Sequence, residues 1–252
     1  MQRRVRQLGR PVSKRLWHIE LSGYERLPAA GPAILCPNHV SFLDSAFLML
    51  TVPRNISFVG KAEYMDSWKT KFLFPAMGMI PIDRAGGDKS TAALDAAEQV
   101  LQRGELFGIF PEGTRSRNGD LHKGRTGAAR LAMKLDCPIF PVGVIGTDKI
   151  QPPDAKMPKL FRSCEIKIGR PVRPERYRGR GAEHIAWRSM IDEVMYEIRE
   201  LTGQTYVDSY AGAKAETEPT VAGRVSSVAD PISDSSNRTL VGEHELALVA
   251  GS

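Results

Sequence analysis

Leu106-Phe107-Gly108-Ile109-Phe110-Pro111-Glu112-Gly113-Thr114-Arg115-Ser116 is the stretch that decides the fold. Its first five residues carry no charge and do not alternate in polarity, so they read as a strand buried on both faces, and Pro111 stops it. Upstream, residues 89–103 put Leu94, Ala97 and Leu101 on one helical face, and Gly104 follows as a C-terminal cap. Downstream, residues 125–135 form a shorter helix. A doubly buried strand between two helices is the repeating unit of an α/β sheet covered by helices.

The same alternation extends in both directions. Further strands are expected at 17–21, 33–36, 56–59, 79–82, 139–145 and 164–168, most of them flanked by Gly or Pro. Residues 183–201 give the clearest helix, with Trp187, Ile191, Val194, Ile198 and Leu201 on one stripe and Gly203 beyond. The expectation is a single α/β domain over residues 17–210, built on a mixed, mostly parallel sheet flanked by helices. A basic amphipathic arm, residues 1–16, precedes it. In the arm Val5, Leu8, Val12 and Leu16 recur at near-helical spacing between arginines and lysines, although Pro11 interrupts the pattern. Two readings of the arm stay open: an interfacial helix or a frayed terminus. Residues 211–252 contain no aromatic residue and are rich in Ala, Ser, Thr, Glu and Gly, as expected of a disordered acidic tail.

Charge divides along the same line. The 252 residues carry a net charge of +6. The tail holds three cations (Lys214, Arg224, Arg238) against six acids, so the first 210 residues carry +9. A basic body implies an anionic partner: a phosphorylated substrate, an anionic membrane or nucleic acid. Cys36, Cys137 and Cys164 are too few and too scattered for a disulfide framework, and they read as small buried hydrophobes in a reducing compartment. The apolar runs are too short for a transmembrane helix. His18, His39, His122, His184 and His244 are dispersed, so no metal site is expected.

Chemistry concentrates in two islands. In Asn38-His39-Val40-Ser41-Phe42-Leu43-Asp44, His39 is a candidate general base, because an imidazole titrates near neutral pH. Asp44, five residues on, can fix its tautomer and stabilise the imidazolium, and can also cap a helix beginning near Ser45. The hydroxyl to be activated would belong to the substrate. Ser41 and Cys36 are near, but neither lies in a Gly-x-Ser-x-Gly elbow. In the second island, Glu112-Gly113-Thr114 turns the chain at the end of a buried strand, where ligands of α/β sheets bind. Gly113 permits close backbone approach and Arg115 offers a fork of donors to phosphate. Arg84, at the end of the strand 79–82, adds a cation, and Lys61 follows the strand 56–59 in the same way.

These residues resemble the blocks of the glycerolipid acyltransferases. Residues 38–44 look like the His-x-x-x-x-Asp block of that family, residues 78–84 like its second block, residues 110–116 like its third and residues 138–144 like its proline-containing fourth. The resemblance covers residues 17–205. Its third block is most similar to that of the 1-acylglycerol-3-phosphate acyltransferases. The N-terminal segment departs from the pattern by lacking the longer hydrophobic helices of many members.

The resemblance implies transfer of an acyl group from acyl-CoA or an acyl carrier protein to the free hydroxyl of lysophosphatidate. His39 would be the base and Asp44 its orienting acid. Glu112, Gly113, Thr114 and Arg115, with Arg84, would hold the phosphate, and no cofactor would be needed. The apolar segments 42–50 and 72–79 would admit the acyl chain. A cytoplasmic enzyme working from the inner face of the cell membrane as a peripheral protein is the matching expectation. Another lysophospholipid, glycerol-3-phosphate or a glycolipid would serve the same chemistry as acceptor. A non-enzymatic basic binder of membranes or nucleic acid is the reading of another class. Against nucleic acid, no aromatic residues interleave with the basic ones and no recognition motif occurs.

Overall fold

The chain alternates strands and helices from its second residue onward. The computed structural model describes residues 2–61, 72, 75–82, 89–155, 157–179 and 181–212, with Lys61, Lys89 and Ser90 described in their backbone alone. All of them belong to one compact unit. Arg84 and the expected tail from residue 213 lie outside the described residues.

Helix α1 spans Gln2–Leu16, followed by strands β1 (His18–Ser22) and β2 (Ala33–Pro37), helix α2 (Leu43–Thr51), and strands β3 (Ile56–Lys61) and β4 (Met79–Ile82). Then come helix α3 (Lys89–Gln102), strands β5 (Leu106–Gly108) and β6 (Leu121–His122), helix α4 (Gly127–Leu135) and strand β7 (Ile139–Ile145). The chain closes with the single-turn helix α5 (Thr147–Ile150), strand β8 (Ser163–Ile168), helix α6 (Glu183–Thr202) and strand β9 (Tyr206–Val207).

Seven strands form one sheet in the order β1-β8-β7-β2-β5-β3-β4. Every neighbouring pair is parallel except β7 with β8, which run antiparallel. The pleat sends alternate side chains of β2 into different cores. Ile34 and Cys36 pack with Val100, Leu101, Ala129, Ile191 and Ile198, beneath α3, α4 and α6. Ala33 and Leu35 pack with Phe47, Leu48, Phe58 and Phe140, beneath α2. Both faces are therefore covered, and β2 needs the unbroken apolar sequence it has.

Several details differ from expectation. The strand expected at 106–110 ends at Gly108, and Phe110 leaves the ladder to face the site. Residues 42–50 are largely a helix, and Phe47, Leu48 and Met49 are core side chains that cannot admit an acyl chain. A separate two-stranded sheet, β6 with β9, was not legible in such short segments. The N-terminal arm is neither frayed nor interrupted: α1 runs through Pro11.

The arm is anchored by its polar face. Gln2 donates to the carbonyl of Ile56 at 2.6 Å and Arg6 to those of Val52 and Arg54 at 3.2 and 2.7 Å, while Ser13 is buried. Gly9 allows the helix to press on α2, since a Cβ there would come within 2.8 Å of Leu50 Cδ2. These anchors lie on both sides of Pro11, so the donor it removes is tolerated.

Candidate active site

Strands β7, β2 and β5 are neighbours and parallel, so their carboxyl ends share one edge of the sheet. The loops that follow them carry Thr147, His39 and Glu112. Asn38 ties two of these strands together. Its amide donates to the carbonyl of Val144 at 2.9 Å and accepts the Val144 N–H at 2.7 Å. The chain then leaves β2 with no freedom to slide, and the next residue is His39.

His39 Nδ1 lies 2.9 Å from Asp44 Oδ2. That same oxygen accepts the N–H groups of Val40 and Ser41, each at 2.8 Å, and Oδ1 accepts the Thr147 hydroxyl at 2.5 Å. All four partners can donate, which a carboxylate satisfies in full. Asp44 is wholly buried, whereas the His39 side chain keeps 17% of its exposure. Nδ1 is thereby the protonated nitrogen, and Nε2 keeps its lone pair for a substrate hydroxyl. The ring stacks on Phe110 at 3.7 Å between centroids, which fixes its plane. Asp44 is the second residue of α2, so its carboxylate reaches back into the loop and does not cap the helix.

The third block divides its labour. Glu112 points inward, only 1% exposed, with Oε1 accepting the His39 N–H and Oε2 the His122 N–H, both at 3.0 Å. Its carboxylate therefore braces the loops behind the site, and an acid so engaged does not face a phosphate. Burial pushes its pKa up to about 7, against the opposing pull of the two amides. Gly113 takes φ +79°, a conformation natural to glycine, and turns the chain outward. The Ser116 N–H then bonds the His39 carbonyl at 2.7 Å, joining the two islands directly. Arg115 donates one N–H to the Pro153 carbonyl at 2.9 Å.

His39, Gly113, Thr114 and Arg115 open into one cleft of about 370 Å³. Its apolar wall is made by Phe42, Phe58, Val59, Met79, Ile109 and Phe110. Sequence alone places His39, Asp44 and the 112–115 turn together, and the structure joins them. Gly60 also lines the cleft, but the Lys61 side chain and Arg84 lie outside the described residues. Thr147 was missed; a Gly-Thr pair directly after the fourth-block strand was the signal available. Phe110 was read as strand interior and is instead the ring beneath His39.

The nucleophiles nearest His39 in sequence, Ser41 and Cys36, are occupied or buried. Ser41 Oγ donates to the Gln151 carbonyl at 2.8 Å and accepts the Leu43 N–H at 3.2 Å. Cys36, Cys137 and Cys164 are buried, and desolvation pushes their thiols up, the latter two to about 12. Among the described residues no three His, Cys, Asp or Glu side chains converge as they would around a metal ion.

A His-Asp pair at the carboxyl edge of an α/β sheet, beside a cationic turn, is able to activate a hydroxyl for acyl transfer. The family comparison agrees. Residues 18–145 match the family model described as Acyltransferase, and the chain belongs to that family.

The chain is 31% identical over 157 residues to the 1-acyl-sn-glycerol-3-phosphate acyltransferase LPAT1, chloroplastic, of Arabidopsis thaliana, covering 62% of this chain and 44% of that protein. It is 28% identical over 160 residues to the human 1-acyl-sn-glycerol-3-phosphate acyltransferase alpha, covering 62% and 56%. Against the 1-acyl-sn-glycerol-3-phosphate acyltransferase of Borreliella burgdorferi it is 28% identical over 130 residues, 52% of each. The chain thus spans about half the length of the curated relatives it matches. The fold is shared with the crystal structure of the 1-acyl-sn-glycerophosphate acyltransferase PlsC from Thermotoga maritima, at TM-score 0.63 and 24% identity over 79% of each chain.

Proposed function

We propose that this protein transfers a fatty acyl group from an acyl thioester to the free hydroxyl of 1-acylglycerol-3-phosphate, giving phosphatidate. The observation that carries the reading is the His39 ring, held by Asp44 and Phe110 with Nε2 directed to a cleft that Arg115 also lines. The names of the relatives support the choice of acceptor.

In the proposed reaction Nε2 removes the hydroxyl proton as the oxygen attacks the thioester carbonyl. Asp44 stabilises the imidazolium that results. The tetrahedral intermediate collapses with cleavage of the C–S bond, and the imidazolium returns its proton to the departing thiolate. Arg115 and the Gly113-Thr114 turn hold the acceptor's phosphate, with charge-assisted hydrogen bonds from the guanidinium. The donor is acyl-CoA or an acyl carrier protein, and the reaction asks for no metal. In this reading the enzyme works at a membrane surface, on the inner face of the cell membrane. Among the described residues no helix is long and apolar enough to cross a membrane.

A thiol-release assay with palmitoyl-CoA and a panel of acceptors tests the reading. Release that depends on lysophosphatidate is expected. Release with glycerol-3-phosphate or another lysolipid alone would transfer the mechanism to that acceptor. No release with CoA or carrier-protein donors would overturn it.

A further inference from the structure

The loop after α5 touches both halves of the site, yet no step of the proposed reaction gives it a task. Thr147 opens α5 and bonds Asp44, and the Gln151 N–H closes that helical turn on the Thr147 carbonyl at 2.8 Å. Ile150, between them, is fully buried. The Gln151 carbonyl accepts Ser41 Oγ, two residues after His39. Two residues further along the loop, the Pro153 carbonyl accepts Arg115. Residues 147–153 therefore run as one short strap from the support of the base to the anchor of the cation.

The strap has little slack. Pro152 and Pro153 each fix φ by their rings. The Ala155 N–H bonds the Pro152 carbonyl at 3.0 Å, and Gln151 Nε2 donates to the Ala155 carbonyl, also at 3.0 Å. The Gln151 side chain thus closes the 151–155 turn. Its Oε1 is buried with no hydrogen-bond partner among the described residues, so the donor is the end of the amide that the fold uses. An unsatisfied buried oxygen costs stability, which points to a task for the turn that this amide closes.

What the turn controls is the Arg115 guanidinium. The backbone of residues 112–116 is already fixed, by Glu112 on the His39 N–H and by the Ser116 N–H on the His39 carbonyl. The guanidinium lies at the end of a long side chain, and Pro153 is its one anchor among the described residues. A base and a cation held a set distance apart select an acceptor by the number of bonds between its hydroxyl and its phosphate. In a glycerol phosphate, the carbon of the 2-hydroxyl adjoins the carbon that bears the phosphate. The 1-hydroxyl is one carbon farther away.

We propose that Gln151 is a positioning residue: by closing the 151–155 turn it sets where Pro153 holds Arg115 relative to His39, and so which hydroxyl of a phosphate-bearing acceptor meets Nε2. The inference rests on the acyl-transfer reading for its consequence, and its test includes a binding arm that needs no turnover. Gln151→Met is the decisive variant. It keeps the length of the side chain and removes both the donor and the unsatisfied oxygen, so the melting temperature should stay near that of wild type. Pro153→Gly, which frees φ and keeps the carbonyl, is the second variant.

The acceptors are short-chain 1-O-alkyl and 2-O-alkyl glycerol-3-phosphates, whose ether-linked chains cannot migrate between hydroxyls. In steady-state thiol release, both variants are expected to raise KM for the 1-alkyl acceptor about threefold to tenfold, the worth of one hydrogen bond. Their kcat, and their use of a phosphate-free lysolipid, should change little. The preference for the 1-alkyl over the 2-alkyl acceptor should fall by a similar factor, whereas a merely structural role would lower both alike. In the Arg115→Ala background, Gln151→Met should cost nothing further. Calorimetric binding of the 1-alkyl phosphate, with no acyl donor present, should weaken in step with KM. Wild-type KM and wild-type preference in both variants would overturn the proposal. So would full additivity with Arg115→Ala, or absence of binding by the wild type. A wild type that binds the 1-alkyl phosphate yet releases no thiol would count against the acyl-transfer reading, and the calorimetric comparison would then decide the role of Gln151.

Discussion

The His39 loop and the Arg115 turn differ in how tightly they are held, and the difference matches the tasks proposed for them. Asp44 collects four hydrogen bonds with no exposure, and its own ring partner is clamped on Phe110. Arg115 is half-buried and, among the described residues, held by one bond to a loop carbonyl. A proton-accepting nitrogen must be placed within a fraction of an ångström of its target, so its supports are rigid and buried. A phosphate-binding cation acts through charge and a long side chain, so a single tether to the protein is enough. Glu112 links the two: it belongs to the turn by sequence and to the His39 loop by contact.

The contrast can be broken at several points. Among the residues that support His39 and the turn, Asp44→Asn should cost the most, about 10³-fold in kcat, because an amide can present the wrong partner to Nδ1 and unseat the tautomer. A steady-state assay with unchanged kcat would remove the His-Asp assignment. Arg115→Ala should lower kcat/KM for lysophosphatidate about a hundredfold, the worth of charge-assisted bonds, and change use of a phosphate-free lysolipid little. Equal losses with both acceptors would deny Arg115 its phosphate.

Thr147→Val leaves Asp44 Oδ1 buried without a donor. About tenfold in kcat and about 1–3 kcal/mol in stability should go, and Thr147→Ser should restore both. If the valine variant melts and turns over like wild type, Thr147 does not support the acid.

The Glu112 effect is smaller in activity and appears in stability against pH. Its folded pKa of about 7 lies above its ordinary 4.5, so the folded state holds the proton more tightly than the unfolded chain. This contribution to stability is therefore present below about pH 4.5 and is lost as pH rises towards 7, by roughly 3 kcal/mol. Glu112→Gln should lack that slope when melting is followed from pH 4.5 to 7, and a parallel slope in the variant would assign it elsewhere.

Much of this was legible beforehand because local rules and the fold agree. Buried strands such as the one at 139–145 announce themselves by unbroken apolar sequence, and α6 by a regular stripe ended by Gly203. Residues 42–50 were harder: a helix apolar nearly all round has no stripe to read, and its start is set by the loop that Asp44 holds. The pairing of His39 with Asp44 was readable from spacing. The inward turn of Glu112 was not, because it depends on amides of His39 and His122, which lie 73 and 10 residues away. Thr147 reaches Asp44 across 103 residues, through the adjacency of β7 and β2 that no local pattern encodes. The α1 stripe was visible as a pattern, but which face would dock was decided by Gly9 and Ser13, whose small size permits close approach.

The central claim is that His39 takes the acceptor's proton. The direct test is a single-turnover measurement of phosphatidate formation from palmitoyl-CoA and saturating lysophosphatidate, comparing wild type with His39→Ala. The account predicts a fall of about 10⁴-fold in the chemical step, with the melting temperature near that of wild type. A His39→Ala enzyme that forms phosphatidate within tenfold of the wild-type rate would contradict it.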